Sequence, residues 1–485
     1  MPDAPHISVV VTARNDGHGG NMLGRMQAFL DSWIVQSKRY DLASEIIVVE
    51  WNPPAGRPKL MDELHWPVGT EPCEVRFIEV PAEIHEQFPN AAVIPLHQMM
   101  AKNVGIRRAR GEFVLATNLD IVFSRDLMQF LALRSLERGK LYRIDRHDVS
   151  TEIPIAAPLD ELLSYCDTHK LRVFTKTGRF TFDNNGLWKP DQKDIVKADA
   201  GIHLQRGWHP SELGSGGPYR WMEPEVELVL QRPGPRLLID LETGPSAGGK
   251  PIEIEIVRGD GAVLGSIALN GRSLLQLHLP DPMTSCTLRF QSHGISTPLA
   301  SEVRFLNLRA FELRWEHSRS APKHGLEVLK KKRSIDWTRN EPAFSQFAPK
   351  IRRAAFLHTN ASGDFTLLSR DEWFALRGYA EFPIWPMHID SLLCYTAYHA
   401  GIEEAILHEP MRIFHIEHLS GAGWTPEGEN ERLDRIEKKQ VDAISNMDVI
   451  QWVETMRRFD RPMIFNTCDW GLAGTQLAET SPHRR

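Results

Sequence analysis

Cysteine is scarce in this chain of 485 residues. The five cysteines stand far apart, and no two of them form a CxxC pair: they are Cys73, Cys166, Cys286, Cys394 and Cys468. Such spacing argues against a disulfide framework and against a thiolate metal site. We therefore expect reduced thiols, as in a cytosolic protein.

Long apolar runs and an excess of basic charge are also missing. No run of about eighteen apolar residues occurs, so no segment is predicted to span a bilayer. Lysine and arginine total 57 against 63 aspartates and glutamates, and the formal net charge of -6 argues against nucleic acid as the main partner. The amino end lacks the basic and apolar regions of a secretion signal. These absences together predict a soluble, cytoplasmic protein.

The amino-terminal part of the chain alternates between two hydrophobic patterns. Apolar, β-branched runs predict strands at 7–12, 45–49, 75–80 and 112–117. Helical spacing predicts helices at 23–33, 97–110 and 126–139. Strands that alternate with helices predict a mostly parallel sheet, with a ligand cleft at the carboxyl ends of the strands. We expect that cleft to be lined by residues 12–16, 50–52 and 118–120.

From residue 207 the pattern changes to short strands separated by glycine and proline turns. Runs such as VELVL, LLIDL and IEIEIV predict an all-β sandwich or jelly roll. A mixed pattern returns after the basic stretch 317–339, so the sandwich is predicted to be an insertion into, or a large excursion from, one α/β domain. The predicted divisions are an α/β part at 1–165, a connection at 166–206, the sandwich at 207–317, a second α/β part at 318–425 and a helical segment at 426–485.

A carboxylate follows the predicted strand 112–117. Asp120 ends the run TNLD, and an acid at the carboxyl end of a strand is well placed to hold a hard divalent cation that neutralises a diphosphate. A carboxylate that serves only a turn or a helix cap is the alternative.

The surrounding sequence, KNVGIRRARGEFVLATNLD (102–120), resembles the segment that leads to the metal-binding acidic motif of GT-A glycosyltransferases of family 2. Likewise, ISVVVTARND resembles the first strand and nucleotide-contacting turn of that family, and EIIVVEWNPP resembles its second strand. The usual Asp-Asp pair is replaced here by Glu50-Trp51-Asn52, and the metal motif is reduced to Asn-Leu-Asp. The resemblance implies a GT-A catalytic fold in which a set of polar residues contacts the nucleotide sugar: Thr12, Arg14, Asn15, Glu50, Asn103 and Asn118.

A second match lies in residues 362–401, which resemble the acceptor-side segment of the same enzymes. Its register places Asp390 on the aspartate of their Glu-Asp pair, so the resemblance implies that Asp390 is the general base of inverting transfer. Ile389 replaces the glutamate, and His388 lies two residues before Asp390. The alternative is that Asp390 caps a helix over 391–399.

The run Phe414-His415-Ile416-Glu417-His418 supplies two imidazoles. The resemblance implies that His415 completes the site for Mn²⁺ or Mg²⁺ begun by Asp120. In a strand, His415 and His418 would face opposite sides, so that only one of them is a ligand, whereas on a helix both would share a face. The spacing differs from that of the zinc-protease HExxH motif. Two histidines satisfied by backbone partners are the alternative.

Three further features have two interpretations each. Gly17–Gly20 suits a flexible loop over the donor or a phosphate cradle, although it lacks the lysine of a P-loop. Trp208, Tyr219 and Trp221 lie in a stretch that resembles a sandwich module of bacterial polysaccharide enzymes, and they suit either sugar stacking or the sandwich core. The basic run 330–333 suits an anionic lipid, a pyrophosphate-linked acceptor or simply a solvated face.

Together, these features predict a cytoplasmic, metal-dependent glycosyltransferase of the GT-A fold with an inserted sandwich. It would move a hexosyl or N-acetylhexosaminyl group from a nucleotide sugar to a glycan or lipid-linked acceptor, with inversion, in the synthesis of bacterial surface polysaccharide. Contact with the inner face of the membrane is left open. The rival hypotheses are a non-catalytic carbohydrate-binding or assembly protein with a degenerate GT-A site and, less favoured because the first strand lacks a lysine-containing glycine-rich signature, a sugar-nucleotide pyrophosphorylase.

Overall fold

The computed structural model of the protein describes residues 4–182, 186, 188–190, 197–205, 207–214, 217–231, 233–279, 285–294, 306–316, 325–332, 357–418, 441–444 and 446–482. The chain divides into two compact units, which we call the α/β unit (Met1–Leu171 with Leu357–Arg485) and the β unit (Arg172–Phe356). Within the described ranges, no helix is long and apolar enough to cross a membrane.

The α/β unit alternates strands and helices along the chain. Its strands are β1 Ile7–Ala13, β2 Ser44–Trp51, β3 Cys73–Val80, β4 Phe113–Ala116, β5 Ile121–Phe123, β6 Lys140–Ile144, β7 Arg146–Val149, β23 Thr366–Ser369, β24 Glu403–Leu407, β25 Ile413–Ile416 and β26 Ala478–Thr480. Its helices are α1 Met22–Arg39, α2 Leu60–Glu63, α3 Ala82–His85, α4 Gln98–Arg107, α5 Arg125–Ala132, α6 Leu159–Thr168, α7 Arg370–Leu376, α8 Ile389–His399 and α9 Asn446–Phe459.

The main sheet has eight strands in the order β24-β6-β23-β4-β1-β2-β3-β26. Its centre is parallel, because β1 pairs in parallel with β2 and β4, and β2 pairs in parallel with β3. These are the four strands predicted from apolar runs, and the prediction is confirmed; β1 and β2 are buried along their whole length. The sheet as a whole is mixed, since β23 and β26 join it antiparallel.

The helix predicted at 126–139 is shorter in the structure. α5 begins after Ser124, whose hydroxyl accepts a hydrogen bond from the Leu127 amide, and it ends at Ala132. Arg134 has a φ of 53°, outside the helical region. Leu136, which continued the apolar spacing in the sequence, is buried from a loop rather than from the helix. The apolar spacing in the sequence therefore made the predicted helix too long.

The β unit consists of strands, apart from a short 3-10 turn at Pro245–Ala247, in its described part. The strands are β8 Lys170–Thr175, β9 Gly178–Phe182, β10 Trp188–Pro190, β11 Lys197–Ala198, β12 Ile202–Leu204, β13 Trp208–Gly214, β14 Gly217–Met222, β15 Glu225–Gln231, β16 Arg236–Thr243, β17 Ile252–Arg258, β18 Val263–Leu269, β19 Arg272–His278, β20 Ser285–His293, β21 Leu308–Trp315 and β22 Leu326–Lys332.

Two sheets of the β unit share one apolar core. One runs β13-β14-β21-β16-β19-β22, with β11 beside β21, and the other runs β12-β15-β20-β17-β18. Residues from both sheets pack together, including Ile239 and Leu241 from the first and Ile254 and Leu288 from the second. The compact unit extends beyond the predicted sandwich 207–317 at both ends, because β12 and β22 are part of these sheets.

The three aromatic residues considered for sugar stacking are buried. Trp208 lies in the sandwich core, while Tyr219 and Trp221 form a smaller cluster with Phe311 and Leu306. Their faces pack against protein atoms, so the structure favours the core interpretation.

The carboxyl-terminal segment, predicted to be mostly helical over 426–485, is helical only at α9 in its described part. Residues 460–482 form turns and the short strand β26. Residues 426–440 lie outside the described residues, as does Arg333 of the basic run. Lys330 and Lys331, in β22, are exposed.

Candidate active site

Asp120, His415 and His418 meet near the carboxyl end of β4. Asp120 lies in the turn between β4 and β5, and its carbonyl accepts a hydrogen bond of 2.9 Å from the Ile416 amide, which joins the turn to β25. Nε2 of His415 lies 3.9 Å from Asp120 Oδ2, and Nε2 of His418 lies 3.3 Å from the same oxygen. One potential ligand atom from each residue lies within 4.8 Å of the other two. The chain therefore brings together two imidazoles and a carboxylate from segments about 300 residues apart.

The expectation that only one of the two imidazoles faces Asp120 is wrong for this geometry. His415 does lie in a strand, but β25 ends at Ile416, two residues before His418. Beyond the strand the alternation of side chains no longer applies, and the chain turns the second imidazole back toward Asp120. His418 is therefore a third candidate ligand beside Asp120 and His415.

The charges of this cluster depend on one another. Burial disfavours an ionised Asp120, but His415, His418 and Arg25 outweigh burial and hold the pKa of Asp120 well below its usual range. Burial and Arg146 work against a charged His415, yet the carboxylates of Asp120 and Asp148 prevail and raise its pKa. Asp120 is thus ready to bind a cation, whereas a cation must compete with a proton at His415.

The glycine-rich loop 17–20 closes over the cluster. Arg25, in α1, donates hydrogen bonds to the carbonyls of His18, Gly19 and Gly20, and its Nε lies 4.0 Å from Asp120 Oδ2. Gly19 has a φ of 71°, and a Cβ on it would lie 2.8 Å from Nδ1 of His418. Glycine is required at this position because both the backbone conformation and the approach of the imidazole exclude a side chain.

The residues predicted to contact a nucleoside lie at the ends of β1 and β2. Thr12 is buried near the end of β1, and Arg14 Nε donates to the carbonyl of Asn52 at 2.7 Å. Asn15 Nδ2 donates to the Pro58 carbonyl at 2.9 Å. These contacts place the two chain segments that follow β1 and β2 against each other, as expected for one edge of a cleft.

Glu50, at the end of β2, is buried and accepts a hydrogen bond of 3.0 Å from the Leu60 amide. Burial is the main influence on this carboxyl, and it outweighs the hydrogen bond and raises the pKa of Glu50 to about 7. At neutral pH the side chain therefore exists in both protonation states, and it can donate as well as accept a hydrogen bond.

The two asparagines of the predicted set are hydrogen-bonded to the acceptor-side segment 362–401. Asn103 is wholly buried, donates to Tyr379 O and Glu381 Oε1, and accepts from the Tyr379 amide. The prediction that Asn103 contacts a nucleotide does not fit this position, because its amide is already committed to the turn 378–381. Asn118 donates to Asp364 Oδ1 at 2.6 Å and accepts from Gln98 Nε2 at 3.0 Å.

On the acceptor side, Asp390 lies in the first turn of α8. Ser362 Oγ donates to Asp390 Oδ2 at 2.7 Å. The residue before the helix is His388, which has a φ of 62°, so Asp390 is not the helix cap that was the alternative to a catalytic role. Its position in the first turn does place a negative charge at the positive end of the helix dipole.

Lys102 contacts the loop that precedes β23 and contains Gly363. Its Nζ donates to the Gly363 carbonyl at 2.7 Å, and the side chain is wholly buried. Burial is the main influence and lowers the pKa of Lys102 to about 8, although Asp364, Asp390 and Asp120 all act to raise it. At neutral pH the ammonium form prevails, so Lys102 supplies positive charge that acts on Asp364, Asp390 and Asp120.

Sequence reasoning missed three charged residues beside the cluster: Arg146, Asp148 and Asp364. Arg146 Nη1 donates to Asp364 Oδ2 at 2.6 Å, and its Nε lies 2.9 Å from Asp148 Oδ1. A signal was present, because β7 reads RHDV and is buried throughout, and charged residues in a buried strand indicate a specific partner.

The residues present fit a divalent cation. Asp120 Oδ1 is buried and has no hydrogen-bond partner among the described residues, which is costly for a carboxylate oxygen unless a ligand binds it. Mn²⁺ and Mg²⁺ both prefer oxygen ligands, but Mg²⁺ is the more restricted to oxygen and water, so two imidazole nitrogens beside one carboxylate suit Mn²⁺ better than Mg²⁺. The choice of ion stays a prediction.

Comparison with known proteins gives only local similarities. No protein-family model matches the sequence, and no curated protein matches it. Parts of the chain are similar to S. aureus TarS 1-349 in complex with UDP-GlcNAc, at 18% identity over 30% of this chain and 35% of that chain, with a TM-score of 0.21. The galactosyltransferase LgtC in complex with donor and acceptor sugar analogs gives 15% identity, 30% and 47% coverage, and a TM-score of 0.18.

A family two carbohydrate esterase from Cellvibrio japonicus is similar over 24% of this chain and 31% of that chain, at 13% identity and a TM-score of 0.18. Each of these three matches spans less than half of the other protein. Glycosyltransferases are thus among the similar structures, but the likeness is too partial to support an argument about this chain.

Proposed function

We propose that this protein is a metal-dependent glycosyltransferase of GT-A type that uses a nucleotide-sugar donor. The observation that carries the proposal is the convergence of Asp120, His415 and His418 near the carboxyl end of the parallel strands, where open α/β sheets bind ligands. The resemblance of the surrounding segments to family 2 enzymes supports the same function. A glycan or lipid-linked hydroxyl acceptor in surface polysaccharide synthesis is part of the proposal.

Asp120, His415 and His418 would hold Mn²⁺ or Mg²⁺, which when bound supplies positive charge to the diphosphate of the donor. Arg14, which follows β1, and Glu50, at the end of β2, bind the nucleoside. The loop 17–20 closes over the diphosphate and excludes water from it.

Asp390 accepts the proton of the acceptor hydroxyl through Oδ1, because Oδ2 is occupied by Ser362. The acceptor oxygen forms a bond to the anomeric carbon as the bond from that carbon to the diphosphate oxygen breaks. Attack on the side opposite the leaving diphosphate inverts the anomeric centre. At the end of the step Asp390 carries the proton of the acceptor hydroxyl. The released nucleoside diphosphate keeps the electron pair of the broken bond and gains one negative charge.

Metal and donor binding test this function directly. Mn²⁺ titration followed by electron paramagnetic resonance should show one site in the wild-type protein, weakened in Asp120→Asn, His415→Ala and His418→Ala. Asp126→Asn, which changes an exposed acid in α5, is the matched control. A thermal-shift panel of UDP-, GDP- and dTDP-sugars with Mn²⁺ identifies the donor. Undiminished Mn²⁺ binding in all three site variants would refute the metal centre.

A non-catalytic carbohydrate-binding protein is the second candidate. Two observations favour it. The cluster of Asp120, His415 and His418 has only one carboxylate, and Asp390, the proposed base, already accepts a hydrogen bond from Ser362. Both candidates predict donor binding, but only the first predicts that sugar leaves the nucleotide. Release of nucleoside diphosphate from the donor, measured with and without an acceptor glycan, separates them.

A further inference from the structure

Asp148 lies directly behind His415. Strands β7 and β25 pair in parallel, and their register sets Asp148 opposite His415. Paired residues of parallel strands project to the same face of a sheet, so the two side chains lie side by side. Nδ1 of His415 is 3.2 Å from Asp148 Oδ1, while Nε2, on the other side of the ring, faces Asp120. The two atoms are close enough for a hydrogen bond but are not fully aligned for one, and the contact is an ion pair only when His415 is protonated.

The carboxylate of Asp148 is itself held in place. It is almost wholly buried, and Arg146 Nε lies 2.9 Å from its Oδ1. The same guanidinium donates from Nη1 to Asp364 Oδ2, and Asp364 accepts from Asn118 through its other oxygen. A buried carboxylate keeps its charge only beside such a cation. Arg146 thus secures a fixed negative charge behind the imidazole.

We infer that Asp148, held by Arg146, is a positioning residue that keeps a proton on Nδ1 of His415 and so presents the lone pair of Nε2 to the metal. A neutral imidazole has one donor and one acceptor nitrogen, and the partner of one nitrogen decides the state of the other. A carboxylate behind a metal-bound histidine fixes the tautomer, orients the ring and makes it a stronger ligand. Asp148 is too buried to touch a substrate.

This inference rests on the proposed metal role of His415. It extends that role by giving Asp148 and Arg146, which have no role in the proposed transfer step, the task of fixing the tautomer and orientation of the His415 imidazole. The inference explains why the buried strand β7 contains two charged residues. Arg146 and Asp148 are two residues apart, so their side chains project to the same face of the strand and contact each other.

The tautomer of His415 provides a test in the wild-type protein without metal. Nitrogen-15 chemical shifts of the imidazole, measured at about pH 9 where histidines are ordinarily neutral, are expected to show the proton on Nδ1. The signal is assigned with His415→Gln, and Asp148→Asn is measured in parallel. The variant should lose the preference, because an amide can donate to Nδ1 and so favour the opposite tautomer. A proton on Nε2 in the wild-type protein would overturn the inference.

Metal affinity gives the second readout. Asp148→Asn is expected to weaken Mn²⁺ binding by about 10- to 100-fold. Asp240→Asn is the matched control, since Asp240 is a similarly buried aspartate of the β unit held by Arg272 and Lys332, and no described histidine is paired with it. Unchanged Mn²⁺ affinity in Asp148→Asn, with wild-type binding intact, refutes the positioning role alone. Failure of the wild-type protein to bind Mn²⁺ refutes the proposed metal centre instead, and the tautomer measurement still decides the role of Asp148.

Discussion

The two units bury charged side chains in different ways. In the β unit, Glu242 lies opposite Arg309 on the neighbouring strand and accepts hydrogen bonds of 2.6 and 3.0 Å from it. Asp240 accepts from both Arg272 and Lys332. Each of these carboxylates has a cation on an adjacent strand, so the charges form closed pairs within the sheet.

Around Asp120, in the α/β unit, the arrangement is open, although other buried charges of this unit, such as Glu45 with Arg76, form closed pairs. Asp120 faces two imidazoles and Arg25 at 3.3 to 4.0 Å, and its Oδ1 has no hydrogen-bond partner in the described part of the chain. A buried carboxylate oxygen without a partner destabilises the fold. The comparison indicates that these buried charges of the β unit serve structure, whereas the cluster at Asp120 in the α/β unit keeps a buried carboxylate oxygen available for a ligand.

The largest expected effect comes from Asp390, because the role proposed for it, that of general base, acts on the rate of transfer. Asp390→Asn should lower sugar transfer by about 10²- to 10⁴-fold, with little change in melting temperature and unchanged donor affinity. Stability should change little because the amide oxygen can still accept from Ser362, and only the interaction of the charge with the helix dipole, about 0.3 to 1 kcal/mol, is lost. Transfer kinetics and thermal unfolding measure the two effects.

Ser362→Ala is the control for this variant, since it removes the hydrogen bond to Oδ2 and leaves the carboxylate. We expect a smaller loss of transfer than in Asp390→Asn. Transfer at nearly the wild-type rate in Asp390→Asn would show that this carboxylate is structural. Asp390 would then resemble the structural carboxylates of the β unit.

For a closed pair in the β unit we expect the reverse of the Asp390 result, namely a loss of stability with no change at the candidate active site. Arg309→Met removes the cation beside the buried Glu242 and should lower the free energy of unfolding by about 3 to 5 kcal/mol. Mn²⁺ binding should not change. Denaturant unfolding is the measurement, and Arg289→Met, which breaks the more exposed pair with Glu227, should cost less than about 1 kcal/mol. Equal losses in both variants would contradict the structural role assigned to the buried pair.

Glu50, a buried carboxyl of the α/β unit with no cation paired to it among the described contacts, should make the free energy of unfolding depend on pH. Since burial raises its pKa from 4.5 to about 7, the unfolded chain releases this proton at lower pH than the folded protein does. The free energy of unfolding should therefore fall as pH rises from about 4.5 to 7, by at most roughly 3 kcal/mol from this group, and stay lowered above that window.

Glu50→Gln keeps the shape and the acceptor for the Leu60 amide, so it should remove this part of the pH dependence. Denaturant unfolding at about pH 5 and about pH 8 gives the difference. Glu83→Gln, at an exposed position in α3, is the control. If wild type and Glu50→Gln lose the same stability between the two pH values, Glu50 is not a strained carboxyl.

The smallest effect concerns a side chain of the α/β unit that serves only structure. Ser369 and Glu372 form a capping box at the start of α7. Ser369→Ala should lower the free energy of unfolding by about 1 kcal/mol, because one amide of the first turn loses its acceptor. Mn²⁺ affinity and transfer should be unchanged, and a loss of either would mean that α7 helps to build the site.

The parallel strands of the main sheet were predictable because each is a run of apolar, β-branched residues whose burial follows from composition. The acid after β4 was predictable for the same reason, since Asp120 follows such a run. The end of α5 was not, because Leu136 is apolar and at helical spacing, yet it is buried from a loop. The division between helix and loop there depends on how the chain reaches β6.

By itself, the sequence determined which segments are buried strands and which carboxylates and imidazoles stand at their ends. Only the tertiary structure decided that His418 joins Asp120 and that Asp148 lies behind His415. Local hydrophobic period sets which face of a strand is buried, but it carries no information on which distant strand lies beside it. The pairing of β7 with β25, across more than 260 residues that include the whole β unit, is a long-range choice of that kind.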